Sequence, residues 1–340
     1  MEELLLISIL ISFVIALLMT PKWIRKCRIT HLLWQDMNKP EKKEQVAASG
    51  GIITVISFTL GVLSYIALRT FVLKQDLVAT NIFSLLCVIL ILAIVGLTDD
   101  LLGWKHGGLS VKFRLFLAFI ASTPLVVINA GTNIISIPFL GPVNLGLIYP
   151  LILIPIGIAG ATTTYNFLAG FNGLEAGLGI ITISYLSFIS YVTGTSWLAV
   201  VGLCMVASLI AFYIYNKYPS KVFPGDTLTY SIGALIAAMA ILGNFEKIAV
   251  FVFIPHIIET FLKLRGGLKK QSFGKVNKDK SLEMPYKKIY GLTHLSIFIL
   301  KKFKKKVYEK DVVYLIFIFQ IIIILLSILL FSKSIIFQNV

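Results

Sequence analysis

Apolar runs of about 20 residues recur along the chain, and they constrain its fold more than any other feature. A helix of that length crosses the hydrocarbon core of a bilayer, so each run is predicted to be a membrane span. Hydrophobic residues make up 57% of the 340, and the alternating pattern of an outer-membrane barrel is absent. The fold class is therefore predicted to be all-α, a polytopic membrane protein forming one domain over residues 1–340. The ten predicted spans cover residues 4–21, 51–73, 82–98, 113–129, 146–165, 174–192, 197–215, 227–243, 247–262 and 312–332.

The basic residues are distributed very unevenly between the loops. Twenty-seven of the 31 lysines and arginines fall in the odd-numbered loops, which include the long basic loop at residues 263–311. Because cytoplasmic loops are enriched in Lys and Arg, the odd-numbered loops are predicted to be cytoplasmic and both termini extracytoplasmic. Topology thus accounts for the net charge of +15, and nucleic acid is not a predicted partner.

Aspartates stand at two membrane edges on this predicted cytoplasmic side. "TDD" places Asp99 and Asp100 at the end of the third span, and "VFPGDT" places Asp226 just before the eighth. Carboxylates at a membrane edge are costly unless they meet a cation or a proton, so metal binding or acid–base work is one interpretation. A solvated helix end for the pair, and helix capping by Asp226, are the alternatives.

A third polar stretch, "YNFLAGFNGLEAGLG", interrupts the apolar sequence between the fifth and sixth spans. It carries Asn166, Asn172 and Glu175 among four glycines. Glycine lets a backbone turn tightly or approach a ligand closely. A plain hairpin needs one such residue and no extra polar side chains, which favours a functional interpretation over incidental polarity.

Several lysines in the same loops are candidates for holding phosphate groups as point charges. The alternative is that they serve only topology and contact lipid headgroups, as most basic residues at a cytoplasmic face do. The candidates are Lys39, Lys105, Lys112, Lys269, Lys270 and Lys275.

Together these groups come from separate loops on one predicted face, which indicates a single active site there. Carboxylate and amide oxygens suit a hard cation such as Mg²⁺, and lysines suit a diphosphate. A position at the membrane edge suits a lipid substrate. The combination favours phosphoryl transfer to or from a lipid.

The motifs "TDD", "NFLAGFNGLEAG", "YPSKVFPGDT" and "SLEMPY" resemble those of the polyprenyl-phosphate N-acetylhexosamine-1-phosphate transferases, glycosyltransferase family 4. The resemblance extends from about Asp36 to Tyr286, and "LAGFNGLEAG" is similar to the form found in the branch that uses UDP-N-acetylglucosamine and dolichyl phosphate. It implies ten spans and transfer of GlcNAc-1-phosphate, or a related HexNAc-1-phosphate, from a UDP-sugar to a polyprenyl or dolichyl phosphate.

The resemblance also implies roles for individual residues. Asn166 and Asp226 match magnesium ligands, with Mn²⁺ as the alternative ion. Asp99 and Asp100 match a catalytic pair near the lipid phosphate, and Asp226 is counted with them. The substrate-binding positions are Lys39, Lys105, Lys112, Asn172, Glu175, Lys269 and Lys270. Which of the lysines contacts the diphosphate, and whether Asp99 or Asp100 acts as a base, stay open.

Two other classes of protein are alternatives to this enzyme. A transporter or channel binds ions at broken helices near the midplane, whereas the polar residues here cluster at one face. A CDP-alcohol phosphotransferase would carry an aspartate-rich helix that the chain lacks. An archaeal plasma membrane is favoured over an endoplasmic reticulum membrane, and homodimerisation stays open.

Overall fold

The computed structural model describes residues 2–40, 45–74, 77–137 and 141–337, and most of their secondary structure is helical. This confirms the helical class expected from the apolar runs. Two π-helical turns cover Leu68–Val72 and Tyr149–Leu153. The helices are α1 (Glu2–Ile29), α2 (Gly51–Ala67), α3 (Ala79–His106), α4 (Val111–Ala121), α5 (Thr123–Val127), α6 (Ile154–Phe167), α7 (Leu174–Val192), α8 (Ser196–Asn216), α9 (Gly225–Gly243), α10 (Glu246–Val252), α11 (Ile254–Arg265), α12 (Leu292–Phe303) and α13 (Glu309–Phe337).

Strands occur only as short antiparallel pairs in the connections of the described chain. In the first pair Trp34 lies opposite Val46, and Ala47 also bridges to Val222 in the connection between α8 and α9. The hairpins therefore shape the loops and leave the core to the helices. The pairs are β1 (Leu33–Gln35) with β2 (Gln45–Ala47), β3 (Ile134–Ile137) with β4 (Gly141–Asn144), and β5 (Lys275–Val276) with β6 (Leu282–Glu283).

Seven helices in the described ranges are long and apolar enough to cross a bilayer, which makes the chain a multi-pass membrane protein. The other three predicted spans, 113–129, 146–165 and 247–262, coincide with helical segments that are interrupted. In each case a proline stands at the start of the second segment. It interrupts the helix because proline lacks an N–H and clashes with the preceding turn. The count of ten spans stays a prediction. The prolines are Pro124, Pro155 and Pro255.

Helix α9 lies at the centre of the bundle. Of its most apolar 18-residue window 83% is buried, against 28% for α1 and 33% for α13. It packs against α2, α3, α6 and α7, and small residues allow the close approach that membrane helices use. A Cβ atom at Gly233 would lie 2.7 Å from the carbonyl oxygen of Ala161 on α6. One at Gly96 on α3 would lie 2.5 Å from the carbonyl oxygen of Asp226.

Gly96→Ala is expected to lower the midpoint of thermal unfolding by several degrees. The added methyl group would meet backbone atoms of α9, which cannot rotate away, and overpacking of this kind costs about 1–3 kcal/mol. Gly157→Ala in α6 is the matched control, because a Cβ there meets nothing within 4 Å. Unfolding of both variants in the same detergent measures the difference. Equal midpoints would contradict the close α3–α9 contact.

Candidate active site

Five connections meet at one side of the bundle, which we call the loop face: the side where α3, α6 and α8 end and α7, α9 and α13 begin. The backbone N–H of Asp226 donates to Oδ1 of Asp100 at 2.7 Å, which joins the start of α9 to the end of α3. The N–H of Gly50, before α2, donates to the carbonyl oxygen of Phe223 at 2.8 Å. The first connection, the end of α3 and the α8–α9 connection therefore lie together.

The remaining two connections are the turn at residues 168–173, between α6 and α7, and the segment that leads into α13. Hydrogen bonds join both of them to the same face. The backbone N–H of Asn172 in this turn donates to Oε1 of Glu309, at the start of α13, at 2.8 Å. The side-chain amide of Asn38 in the first connection donates to the carbonyl oxygen of Gly170 at 2.9 Å. The convergence of the odd-numbered loops expected from the sequence is therefore present.

Asp99 and Asp226 are bridged by an arginine that the sequence analysis did not single out. Nη1 of Arg114 lies 2.7 Å from Oδ2 of Asp99 and 3.0 Å from Oδ2 of Asp226. The other oxygen of Asp99 accepts a hydrogen bond from the backbone N–H of Leu109. Two carboxylates this close repel each other, and the guanidinium between them offsets that repulsion.

Asp100 has a different role, because both of its oxygens bind the first turn of α9. Oδ1 accepts from the N–H of Asp226, and Oδ2 accepts from the hydroxyl of Thr227 at 2.7 Å and its N–H at 3.3 Å. The first N–H groups of a helix lack partners within it, so Asp100 caps α9 from another helix. Gly225, with φ +71°, leaves room for this carboxylate. Pro224 occupies the N-cap position, so the alternative that Asp226 caps the helix is wrong.

The interrupted stretch at residues 165–179 forms the end of α6, a turn and the start of α7. Gly170 and Gly173 have φ of +108° and +82°, which confirms that glycines there permit a tight turn. Oε1 of Glu175 accepts the N–H of Gly170 at 2.7 Å. Nδ2 of Asn166 and Oε2 of Glu175 are buried without a hydrogen-bond partner in the described part of the chain. Buried polar atoms without partners are rare, which is consistent with ligand contacts at this turn.

Asp99, Arg114 and Asp226 form one cluster of charged side chains. Lys39 lies in a second cluster, where carboxylates enclose it. Its side chain is 2% exposed, and Nζ lies 3.1 Å from Oε2 of Glu309 and 3.2 Å from Oδ2 of Asp36. The Tyr218 ring centroid is 4.1 Å from the same ammonium. Burial opposes the charge, but Glu309 and Asp36 outweigh it and raise the pKa of Lys39, so the ammonium stays protonated. Asn172 joins the cluster, because its amide donates to Oδ2 of Asp36 at 3.1 Å.

The other candidate lysines stand apart from these clusters. Lys112, Lys269 and Lys275 are exposed. The ammonium of Lys270 lies 5.0 Å from the ring centroid of Tyr286. Among the described residues no hydrogen bond or ion pair joins these four lysines to Asp99 or Asp226. The side chain of Lys105 lies outside the described part of the chain.

Three residues of the two clusters were missed by the sequence analysis. Asp36 lies three residues before Lys39 in a polar stretch, a spacing that offered a weak signal. Arg114 was counted only as a topological charge, and it stands at the start of a predicted span. Glu309 follows a run of lysines, where a single acidic residue has no contrast with its surroundings.

The predicted magnesium ligands fit a hard cation by their chemistry. No group of three or more His, Cys, Asp or Glu that could hold a metal occurs within the described ranges. Asn166 nevertheless supplies an amide whose buried nitrogen has no partner among the described residues, and a rotated amide would present its oxygen at that point. With the carboxylate of Asp226 this gives two oxygen donors. Mg²⁺ commonly takes one or two protein ligands and completes its shell with water and substrate phosphates.

Comparison with known proteins decides the family. The family model described as Glycosyl transferase family 4 matches residues 82–244. A protein of Saccharolobus solfataricus is 39% identical over 292 residues, which cover 85% of this chain and 87% of the relative. The chain belongs to glycosyl transferase family 4. That relative carries the provisional name UDP-N-acetylglucosamine–dolichyl-phosphate N-acetylglucosaminephosphotransferase, so the resemblance drawn from the motifs is confirmed.

Two further relatives are similar to this chain over most of their length. A protein of Sulfolobus acidocaldarius with the same provisional name is 34% identical, over 88% of this chain and 89% of the relative. The phospho-N-acetylmuramoyl-pentapeptide-transferase of Shouchella clausii is 32% identical, over 76% of this chain and 82% of the relative. The segment matched by the family 4 model includes Asp99, Arg114, Asn166 and Asp226, whereas Glu309 lies beyond it.

Proposed function

We propose that this family 4 protein transfers GlcNAc-1-phosphate from UDP-GlcNAc to dolichyl phosphate or a related polyprenyl phosphate. The products are the lipid diphosphate carrying GlcNAc, and UMP. The observation that carries the proposal is the similarity to the two archaeal relatives with this provisional name, which extends over more than four fifths of both chains. The reaction would be the first membrane step of N-glycan or surface glycan assembly.

In this reaction an oxygen of the lipid phosphate attacks the β-phosphorus of UDP-GlcNAc. A new P–O bond forms, and the bond between the β-phosphorus and the bridging oxygen of the diphosphate breaks to release UMP. A phosphate monoester has its second pKa near 6, so the attacking group is already largely ionised at pH 7. The protein therefore has to position and neutralise two anionic reactants more than it has to remove a proton.

The described residues divide this work between the two clusters. Asp99, held by Arg114, orients the lipid phosphate at the end of α3. Asp100 fixes the first turn of α9 and so sets the position of the Asp226 carboxylate. Asn172 and Glu175 line the nucleotide side of the site. Arg114 supplies positive charge beside the reacting phosphates, a role that suits its planar, permanently charged guanidinium.

Asn166 and Asp226 would hold the magnesium ion. When bound, Mg²⁺ lowers the charge of the diphosphate and stabilises charge that develops in the transition state. The unpartnered amide nitrogen of Asn166 supports this assignment. So does the packing of α6 on α9, since Asn166 lies one helical turn beyond Thr162, which packs against Gly233.

The proposal places the loop face in the cytoplasm, where UDP-sugars occur, with ten spans and both termini outside. The excess of lysine and arginine in the odd-numbered connections supports this orientation. An archaeal plasma membrane is proposed as the location, because the two relatives that share the proposed activity in their names are archaeal.

The experiment that tests the function uses purified protein with radiolabelled UDP-GlcNAc and dolichyl phosphate. Label is expected in the organic phase, and UMP in the aqueous phase, only when the lipid phosphate and Mg²⁺ are both present. A panel of other UDP-sugars, including UDP-GalNAc and UDP-MurNAc-pentapeptide, tests the choice of sugar. Solute uptake by proteoliposomes without any UMP release would contradict the enzyme and favour a transporter.

A further inference from the structure

Glu309, the first residue of α13, is a buried carboxylate that joins three connections of the loop face. It is 3% exposed. Its Oε1 accepts from the backbone N–H of Asn172 at 2.8 Å and from the side-chain amide of Asn38 at 3.3 Å. Its Oε2 lies 3.1 Å from the ammonium of Lys39. The first connection and the turn between α6 and α7 therefore meet at a carboxylate that the start of α13 contributes.

The partners of Glu309 are themselves linked, so the cluster is a closed network. Asn38 also donates to the carbonyl oxygen of Gly170 in the same turn as Asn172. Lys39 also pairs with Asp36, which accepts from the amide of Asn172. A network of this kind, with its charges largely out of water, allows one arrangement of the turn and disfavours others.

The network lies directly behind a cavity. Asn172, Tyr218 and Lys310 line a cavity of about 320 Å³ with Tyr213, Lys217, Val313 and Tyr314. Asn172 is fixed by Glu309 through its backbone, and the ring of Tyr218 lies against Lys39. A change at Glu309 would therefore move this wall of the cavity at two residues, Asn172 and Tyr218.

We propose that Glu309 is a positioning residue for the nucleotide side of the site. It fixes the backbone of Asn172 and, through the ammonium of Lys39, the ring of Tyr218, and both of these line the cavity that would bind the uridine nucleotide. This rests on the proposed function, because Asn172 is assigned to the nucleotide there. Glu309 itself does not touch the reacting phosphates. Its loss is therefore expected to weaken nucleotide binding more than the chemical step.

Glu309→Gln removes the charge while keeping the shape of the side chain. An amide has one acceptor oxygen, so it cannot accept from Asn172, Asn38 and Lys39 together. Its NH₂ group would face either the ammonium of Lys39 or the N–H of Asn172, which are both donors. The turn that carries Asn172 is expected to lose its fixed position.

The experiment compares wild-type protein, Glu309→Gln and the matched control Asp311→Asn. Asp311 is two residues further along the same turn of α13 and pairs at 2.7 Å with the exposed Lys304, away from the network. KM and kcat are measured for each substrate, and UMP binding is measured separately by calorimetry. For Glu309→Gln we expect the KM for UDP-GlcNAc and the Kd for UMP to rise about tenfold, the effect of one charge-assisted hydrogen bond. The KM for dolichyl phosphate, kcat and all values for Asp311→Asn should stay near wild type.

The possible outcomes separate the two proposals. An active wild-type protein together with unchanged UMP affinity in Glu309→Gln would overturn the positioning role. A folded wild-type protein that transfers no sugar phosphate would overturn the proposed function instead. If Glu309→Gln does not fold, Glu309→Asp takes its place, because it keeps the charge but is too short for all three partners. Wild-type KM and UMP affinity in Glu309→Asp would then refute the role.

Discussion

Asp226→Ala is expected to lower the rate of GlcNAc-1-phosphate transfer on the order of 1,000-fold, the typical loss when a group that stabilises transition-state charge is removed. The carboxylate lies in the first turn of α9, and its partial exposure leaves it open to a ligand. It is also a proposed magnesium ligand, so added Mg²⁺ should not restore the rate. Transfer of radiolabel to lipid, measured over a range of Mg²⁺ concentrations, gives the result.

Two comparisons make this expectation specific. Asp279→Asn removes an exposed carboxylate that pairs with Lys306 in the long basic loop at residues 263–311, and it should leave transfer unchanged. Asn166→Ala should also remove most of the activity and raise the Mg²⁺ concentration needed for whatever remains. Circular dichroism in detergent should show wild-type helix content in all three variants. Wild-type turnover in both Asp226→Ala and Asn166→Ala would rule out the assigned magnesium ligands.

The course of the long helices could be predicted because a bilayer leaves an apolar run few alternatives. Backbone groups in hydrocarbon must bond within their own segment, so runs such as those of α3, α8 and α13 form helices whatever their detailed sequence. The breaks at Pro124 and Pro255 were harder to foresee. The sequence is largely apolar on both sides of each proline. The mean hydropathy of such a run therefore does not show that the helix is interrupted within it.

The site could be predicted only where a polar residue contrasts with its surroundings. Asp99 and Asp226 stand at the ends of apolar runs and are conspicuous. Glu309 lies beside a lysine cluster, and its importance comes from contacts with residues more than 130 positions away. Asp100 is predicted to be a second catalytic carboxylate, and its capping of α9 is visible only from its hydrogen bonds to Asp226 and Thr227. A local sequence pattern does not show which side chains pair across a long separation in the chain.

Arg114→Gln is expected to lower both stability and transfer strongly, because Arg114 holds Asp99 and Asp226 together. In Arg114→Gln the two carboxylates would face each other without a cation between them. Removing one partner of a fully buried pair costs about 3–5 kcal/mol, and since the Arg114 side chain is 23% exposed, about 2 kcal/mol is expected after solvent screening. Transfer should fall by about 100-fold, because donors aimed at transition-state charge have effects of that order.

The matched control for Arg114→Gln is Lys112→Gln, an exposed cation two residues earlier on α4. Thermal unfolding of both variants is measured in EDTA and again in Mg²⁺, beside the transfer assay. In EDTA we expect Arg114→Gln to unfold at a lower temperature than Lys112→Gln. Mg²⁺ should narrow that difference, because a divalent ion at Asp226 replaces part of the missing positive charge. If the two variants unfold together in EDTA and transfer label equally well, then Arg114 is one more topological charge, and the pairing of Asp99 with Asp226 needs another explanation.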